Sequence, residues 1–141
     1  YEFAINPIPL YYKSYEAPQL GITAPFTGIK MELVEGEQEI IPGIRVFETP
    51  GHSVGHQGIE VDTENGKYLI CGDAVFIMDN LKAIPEIHYD ITPPNRFANI
   101  VETWKSIEII KNRAESMDKI LICHDRTMLE RVKNEPIIGL K

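Results

Sequence analysis

Three side chains of metal-ligating type, His52, Asp73 and His124, each come shortly after a run of apolar residues in the sequence. Such runs predict buried strands, and residues at strand ends stand on loops at a sheet edge, where functional groups usually lie. We therefore expect the three side chains to converge on one point. Each of them alone is more commonly a turn cap or a satisfied polar group, but their combination favours a metal site.

The chemistry of this set is that of a transition-metal centre. Two imidazoles and one carboxylate suit zinc, iron or manganese. Three ligands do not close a tetrahedral structural site, so the pattern indicates an open or binuclear catalytic one. The most specific segment is Thr-Pro-Gly-His-Ser-Val-Gly-His at residues 49–56, here called the histidine loop. Its proline and two glycines predict a tight loop around His52 and His56.

The elements that position these residues follow from hydropathy and turn signals. Short apolar runs separated by glycine and proline turns predict five strands, and Asn65-Gly66 predicts a type I′ hairpin between the last two. These strands cover residues 29–34, 38–41, 44–48, 57–62 and 67–71. A further buried strand is expected at residues 119–123.

One long helix is predicted at residues 95–114, beginning at Pro93-Pro94-Asn95. The apolar stripe expected to pack on the sheet consists of Phe97, Ile100, Val101, Trp104 and Ile107. Asp125 is expected to cap a short helix that ends at residue 134. Residues 1–27, rich in proline and aromatics, predict an irregular segment, either a surface loop or a substrate lid. Together these features predict a single α/β domain over residues 1–141, with a mostly antiparallel or mixed sheet.

Composition and charge restrict the partners of the chain. Its 141 residues are 43% hydrophobic and carry a net charge of −7, with no basic patch for nucleic acid and no apolar stretch for a membrane helix. Cys71 and Cys123 lie in apolar runs, which predicts buried reduced thiols and a cytoplasmic location. Because the first residue is Tyr1 rather than Met, we expect a fragment or a processed product.

The order of these motifs resembles the C-terminal half of the metallo-β-lactamase superfamily. The resemblance rests on the histidine loop, on Gly72-Asp73 after a hairpin, and on His124-Asp125 after a helix and a buried strand. The motifs most similar to the N-acyl-homoserine lactonase branch are Ile41-Pro42-Gly43, Gly55-His56-Gln57 and Cys123-His124-Asp125. The resemblance covers about residues 28–130 and implies half of an αββα sandwich with two metal ions at the sheet edge.

The resemblance also implies a role for each matched residue in a metal-dependent hydrolase. It assigns His52 to the first metal, Asp73 as the catalytic bridge between both metals, and His124 to the second. Two zinc ions are expected, with iron or manganese as alternatives, and a metal-bound hydroxide would attack a lactone, thioester or other ester. His56 and Asp125 are expected to support the ligands from behind without binding metal.

Two departures from the family pattern limit these expectations. The His-x-His-x-Asp-His signature is absent from the sequence, and the remaining histidine, His88, is isolated. We therefore expect the chain to be the C-terminal part of a longer hydrolase and to be inactive or nearly inactive alone. Phe76 stands where homoserine lactonases carry a tyrosine that stabilises the substrate carbonyl, and a phenyl ring has no hydroxyl to donate. Tyr68, Tyr89 and the tyrosines of the N-terminal segment are candidates to replace it.

Two other function classes compete with the hydrolase. A half-sandwich exposes apolar surface, which favours a non-catalytic domain that binds the missing N-terminal half or a second copy of itself. Thiol chemistry is the third alternative, because Cys123 adjoins His124 and a nucleophilic cysteine needs a nearby base. Adjacent residues of a strand face opposite ways, however, so these two side chains are expected to point apart.

Overall fold

The computed structural model describes residues 30–135 of the chain. The chain divides into two compact units, Tyr1–Val34 and Glu35–Lys141, and every helix and strand given below belongs to the second. The expected irregular segment, residues 1–27, lies outside the described residues. The single domain over residues 1–141 stays a prediction.

Five strands form one mixed sheet in the described part of the chain: β1 (Gln38–Ile41), β2 (Ile44–Glu48), β3 (Gln57–Thr63), β4 (Gly66–Ile70) and β5 (Ile120–Leu121). They lie in sequence order, with antiparallel pairing from β1 to β4 and parallel pairing between β4 and β5. Helix α1 (Ile100–Arg113) connects the two parallel strands, and α2 (Arg126–Asn134) follows β5. The predicted α/β class with a mixed sheet is confirmed.

The hairpin between β3 and β4 forms where it was predicted, but with a different turn. A type I′ turn needs positive φ at both central residues. Gly66 has φ +100°, but Asn65 does not have positive φ, since His88 is the one non-glycine residue with positive φ among the described residues. The type I′ prediction is therefore wrong at Asn65. The turn is instead held by the Thr63 hydroxyl, which accepts the Asn65 N–H and donates to the Gly66 carbonyl.

Two of the predicted strands differ from the structure. Lys30–Val34, the described part of the strand expected at residues 29–34, is irregular, because alternation without a partner forms no ladder. The strand expected at residues 119–123 is reduced to Ile120–Leu121. Lys119 before it belongs to the short 3₁₀ turn Met117–Lys119, and residues 122–125 leave the sheet. This early end releases Cys123 and His124 from strand geometry.

Helix α1 begins five residues later than predicted, at Ile100 and not at Asn95. Asn99 is its N-cap, because its side-chain oxygen accepts the N–H groups of Val101 and Glu102 at 3.0 and 3.2 Å. The predicted stripe is wrong in part: Phe97 and Val101 are exposed, whereas Ile107 is buried and Trp104 packs against the core. The residues that α1 buries are Thr103, Ser106, Ile107 and Ile110.

The core lies between α1 and the sheet. Ile107 and Ile110 of the helix are fully buried in one cluster with Phe47, Leu69 and Ile120 of the strands. Burying each large aliphatic side chain contributes about 2 kcal/mol, which makes this contact the main force that holds the helix on the sheet. The predicted cap of α2 is confirmed, since Asp125 accepts the Thr127 N–H at 2.8 Å. No helix within residues 30–135 combines the length and apolar character needed to cross a membrane.

An ion-pair cluster fastens the C-terminal end of α1 to the sheet. Arg113 donates to the buried Glu60 at 2.6 Å and makes a two-pronged contact with Glu37, while its guanidinium lies 4.5 Å from the Phe47 ring centre. Lys67 also donates to Glu60, at 2.9 Å. Burial would raise the pKa of the Glu60 carboxyl, but the hydrogen bonds from Lys67 and Arg113 outweigh it and lower that pKa. Glu60 is therefore a stabilised anion inside the fold.

Candidate metal centre

The histidine loop connects β2 to β3 and is closed at its base by its own backbone. The Thr49 N–H donates to the His56 carbonyl at 3.0 Å. The rest of the loop is fixed to the start and body of α1. The Gly51 carbonyl accepts the N–H groups of Ala98 and Asn99 at 2.8 and 2.9 Å, and the Ser106 hydroxyl donates to Pro50 at 2.6 Å.

Gly51 is the point of closest approach between the histidine loop and α1. Its φ of +128° lies in the region that favours glycine, and a Cβ there would collide with the backbone nitrogen of Thr103. Gly55 in the same loop has open space where a Cβ would stand. The two glycines of the motif thus have different tasks, and Gly51 is the one that sets the position of His52.

Asp73 stands at the centre of the candidate site, between His52 and His124. It belongs to the short 3₁₀ turn Gly72–Ala74, which follows directly after β4. Its Oδ2 is 3.3 Å from His52 Nε2, and its Oδ1 is 3.0 Å from His124 Nε2. The parallel pairing of β4 with β5 explains the second contact, because both strands end at the same edge. The structure therefore brings all three residues together.

His56 lies behind this group and contacts Asp73 through its backbone. Its Nε2 accepts the Asp73 N–H at 3.1 Å, so its Nδ1 carries the proton and donates to the Thr49 hydroxyl at 2.7 Å. Burial lowers the pKa of His56, and the nearby His52 lowers it further, which favours this neutral form. A side chain at Gly72 would press on the same ring, so the packing of His56 also fixes the turn that carries Asp73.

Phe76 packs against both of the histidines that flank Asp73. Its ring stacks on His124 with 4.8 Å between centres and 14° between planes, and it lies tilted at 5.6 Å from His52. Phe76 lacks the hydroxyl donor that the family resemblance places at this position. Its ring restricts the orientation of both imidazoles. In the sequence, the apolar character of the residue was the only indication of this packing role.

The two cysteines differ in a way that the sequence did not reveal. Cys71 is fully buried, and burial raises the pKa of its thiol to about 12. Cys123 is exposed, so the prediction that it is buried is wrong, because the chain has left β5 before it. Its Sγ is 3.5 Å from Asp73 Oδ1, on the same side as His124. The expectation that Cys123 and His124 point apart is therefore also wrong.

Asp125 and His88 take positions outside the carboxylate and imidazole group. The Asp125 carboxylate accepts the Met78 N–H at 2.6 Å and caps α2 through Thr127, so it ties the loop after Asp73 to this helix. The Met78 hydrogen bond, followed by the one from Thr127, lowers the pKa of Asp125. His88 ends the exposed 3₁₀ turn Pro85–Ile87 with φ +57°.

The donor atoms around Asp73 fit a pair of divalent ions. Ligand atoms bound to one tetrahedral zinc at 2.0–2.1 Å lie about 3.3 Å apart. The two separations between imidazole nitrogen and carboxylate oxygen, 3.3 and 3.0 Å, are close to this value. Each involves a different oxygen of Asp73, so His52 and His124 would each share one ion with the carboxylate. Nitrogen and oxygen donors of this kind suit zinc.

Residues 5–113 match the model of the metallo-beta-lactamase superfamily, and the chain belongs to that superfamily. The curated relatives it matches include the N-acyl homoserine lactonase of Bacillus cereus, which is 32% identical over 85 residues. The N-acyl homoserine lactonase AiiA of Bacillus thuringiensis subsp. kurstaki is 36% identical over 85 residues. These alignments cover 57% and 56% of this chain, but 34% of each relative. The chain thus spans about a third of the length of these relatives.

Solved structures give the same assignment of fold. An N-acyl homoserine lactone hydrolase, solved with the product N-hexanoyl-L-homoserine at its catalytic metal centre, aligns with a TM-score of 0.63 and 26% identity. The alignment covers 76% of this chain and 40% of that one. The dizinc quorum-quenching lactonase AidC aligns over 67% of this chain and 31% of its own, with a TM-score of 0.50 and 11% identity, which shows the fold alone. The predicted superfamily and its lactonase-like relatives are confirmed.

Proposed function

We propose that this chain contributes part of the metal centre of a hydrolase that opens lactones or related esters. The observation that carries the proposal is the Asp73 carboxylate, whose two oxygens each face the Nε2 atom of a different histidine, at 3.3 and 3.0 Å. The names of the relatives, N-acyl homoserine lactonases, make a lactone the first substrate to test. Thioesters and other esters are the alternatives.

The residues divide the work between binding and positioning. His52 and Asp73 would hold one zinc ion, and Asp73 and His124 would hold the other, with iron or manganese as alternative metals. Such ions lower the pKa of a bound water and polarise a carbonyl oxygen. His56 positions Asp73 through the hydrogen bond from its backbone, and Phe76 positions both imidazoles by packing. Asp125 supports the site by accepting the Met78 N–H, which holds the segment that follows Asp73.

The site needs further ligands, which we assign to a segment beyond this chain. Binuclear centres need more protein donors than two histidines and a carboxylate. The relatives are about three times as long as the region they share with this chain, which leaves room for such a segment. We therefore expect the 141-residue chain to bind metal but to hydrolyse lactone slowly or not at all. A cytoplasmic location, which suits reduced thiols, belongs to the same proposal.

Zinc binding by histidine variants tests this function. Isothermal titration of the chain with zinc should show binding that His52→Ala and His124→Ala each weaken by roughly 10-fold or more. His88→Ala is the matched control, because this exposed histidine lies in the Pro85–Ile87 turn, and it should bind like the parent. Parent-like zinc affinity in His52→Ala would overturn the metal assignment. Lactone hydrolysis is assayed in parallel with the full-length protein, before and after treatment with a chelator.

A partner-binding role without catalysis is the second candidate. It is favoured by exposed apolar residues on β1, where Ile40 and Ile41 are 47% and 55% exposed. Such a strand edge pairs readily with another chain, either an N-terminal half or a second copy. Light scattering at micromolar concentration distinguishes the two candidates. Self-association that is unchanged by a chelator, in a chain without zinc affinity, supports this role over the hydrolase.

A further inference from the structure

We propose that Cys123 is an additional metal ligand, whose thiolate joins Asp73 and His124 on one ion. This inference rests on the proposed function, because it adds a donor to the same centre. Nothing in the motif pattern that implied His52, Asp73 and His124 assigns a role to this cysteine. The observation that carries it is geometric: a sulfur, an imidazole nitrogen and a carboxylate oxygen from these three residues all lie within 4.8 Å of one another.

The separations around Asp73 match those of a sulfur-containing zinc site. A zinc ion binds thiolate at about 2.3 Å and oxygen at about 2.0–2.2 Å, so in a tetrahedral site the two donor atoms lie about 3.6 Å apart. Cys123 Sγ lies 3.5 Å from Asp73 Oδ1. His124 Nε2 lies 3.0 Å from the same oxygen. One ion bound to Oδ1 is therefore within reach of both the imidazole and the thiol.

The backbone explains why two consecutive residues point the same way. β5 ends at Leu121, and α2 does not begin until Arg126, so Cys123 and His124 lie on the loop between them. Cys123 also contacts the Gly72 carbonyl, at 3.5 Å from Sγ, which places the thiol over the turn that carries Asp73. The side chain is exposed, so an ion from solvent reaches it without any change in the core.

Binding converts the thiol into a thiolate and needs no oxidant. The S–H proton passes to solvent, the contacts of Sγ with Gly72 and Asp73 as acceptors are lost, and a metal–sulfur bond forms. The ion next to His124 then has three donors from this chain, and the ion next to His52 has two. The two halves of the centre therefore differ, and the half with sulfur favours softer ions such as zinc or cadmium over manganese.

Cobalt(II) spectroscopy of the 141-residue chain tests the inference. Bound cobalt gives visible d–d bands, and a cobalt–thiolate bond adds a sulfur-to-metal charge-transfer band in the near ultraviolet. We expect both in the parent chain. Cys123→Ala should lose the charge-transfer band and keep weaker visible bands. Its cobalt affinity should fall by roughly 10- to 100-fold or more, because loss of an outer-shell partner alone already costs that much. Cys71→Ala, the control at the buried thiol, should keep the band.

The possible outcomes separate the two proposals. Visible bands without a charge-transfer band in the parent chain would overturn the role of Cys123 and leave the metal centre intact. No visible bands at any cobalt concentration would overturn both. A second measurement does not depend on variants: saturating zinc should slow the alkylation of Cys123 in the parent chain, and an unchanged rate would also overturn the inference.

Discussion

The ring of Phe76 stacks on the imidazole of His124, with 4.8 Å between centres and only 14° between planes. A parallel contact of this kind resists rotation of the imidazole, because rotation would open a gap against the phenyl face. His124 is exposed on the loop after β5, so this ring supplies much of its orientation. Phe76 also reaches His52 on the opposite side of Asp73. One apolar side chain thus orders both nitrogen donors of the candidate centre.

Removal of this ring should weaken metal binding without unfolding the chain. Aromatic pairs contribute about 0.5–1.5 kcal/mol beyond area burial, so we expect Phe76→Ala to reduce zinc affinity roughly 2- to 10-fold. Phe76→Tyr keeps the ring and should bind like the parent. Phe97→Ala, at an exposed position before α1, is the control. Titration calorimetry measures all four proteins, and equal affinity of Phe76→Ala and the parent would contradict the positioning role.

The two glycines of the histidine loop should respond differently to the same substitution. Gly51→Ala places a Cβ against Thr103 at a φ of +128°, and we expect it to lower the free energy of unfolding by at least about 2 kcal/mol. Gly55→Ala meets no atom within 4 Å and should change it by less than about 0.5 kcal/mol. Urea denaturation followed by circular dichroism gives both values. Similar losses in both variants would show that the close approach of Gly51 to α1 does not determine the position of the histidine loop.

Stability should fall in acid because of Glu60. The pKa of Glu60 in the folded protein lies below its ordinary value of 4.5, so the unfolded state binds the proton more readily. The stabilisation from the ion pairs of Glu60 is therefore fully present above the pKa that this carboxyl has in the unfolded state. That stabilisation is lost as pH falls through the lowered folded pKa. Glu60→Gln removes the ion pairs with Arg113 and Lys67, and should cost about 2 kcal/mol at neutral pH.

The acid dependence is measured as the urea midpoint at about pH 7 and about pH 3. The difference between the two midpoints should be smaller in Glu60→Gln than in the parent. Glu64→Gln, an exposed glutamate in the turn of the same hairpin, should behave like the parent. A parent-sized difference in Glu60→Gln would place the acid sensitivity elsewhere.

The two thiols should react at very different rates in the native chain. Cys71 has no exposed surface, whereas Cys123 is exposed, so iodoacetamide should modify one cysteine per chain before unfolding and two after it. Peptide mapping by mass spectrometry should locate the first label on Cys123. Rapid labelling of Cys71 in the folded protein would mean that the core around β4 opens more readily than its packing indicates.

The sequence predicted the frame of this site better than its details. The positions of His52, Asp73 and His124 near strand ends follow from short apolar runs, because each run shows roughly where a strand stops and a loop begins. The start of α1 did not follow from the proline pair, since the Asn99 side chain captures two helix N–H groups and fixes the boundary itself. Phe97 of the expected stripe therefore lies before the helix, whereas Trp104 and Ile107 of the same stripe do face the core.

The position of Cys123 was out of reach for a different reason. Alternation predicts opposite faces only while a strand continues, and β5 ends at Leu121 because its sole described partner, β4, ends one residue after the pairing begins. The contact between Phe76 and His124 depends on the segment after Asp73, which Asn80 holds locally and Asp125 holds through the Met78 N–H from 47 residues away. The contact of Cys123 with Asp73 thus depends on the early end of β5, which the apolar run at residues 119–123 does not reveal.

The parallel pairing of β4 with β5 also fixes when the site assembles during folding. The contact between Asp73 and His124 joins residues 51 positions apart, and the chain between them includes the whole of α1. Local hairpins close quickly, whereas closing a segment of this length has a greater entropic cost. We therefore expect Asp73 and His124 to come together late in folding, when β5 joins the sheet that the first four strands have formed.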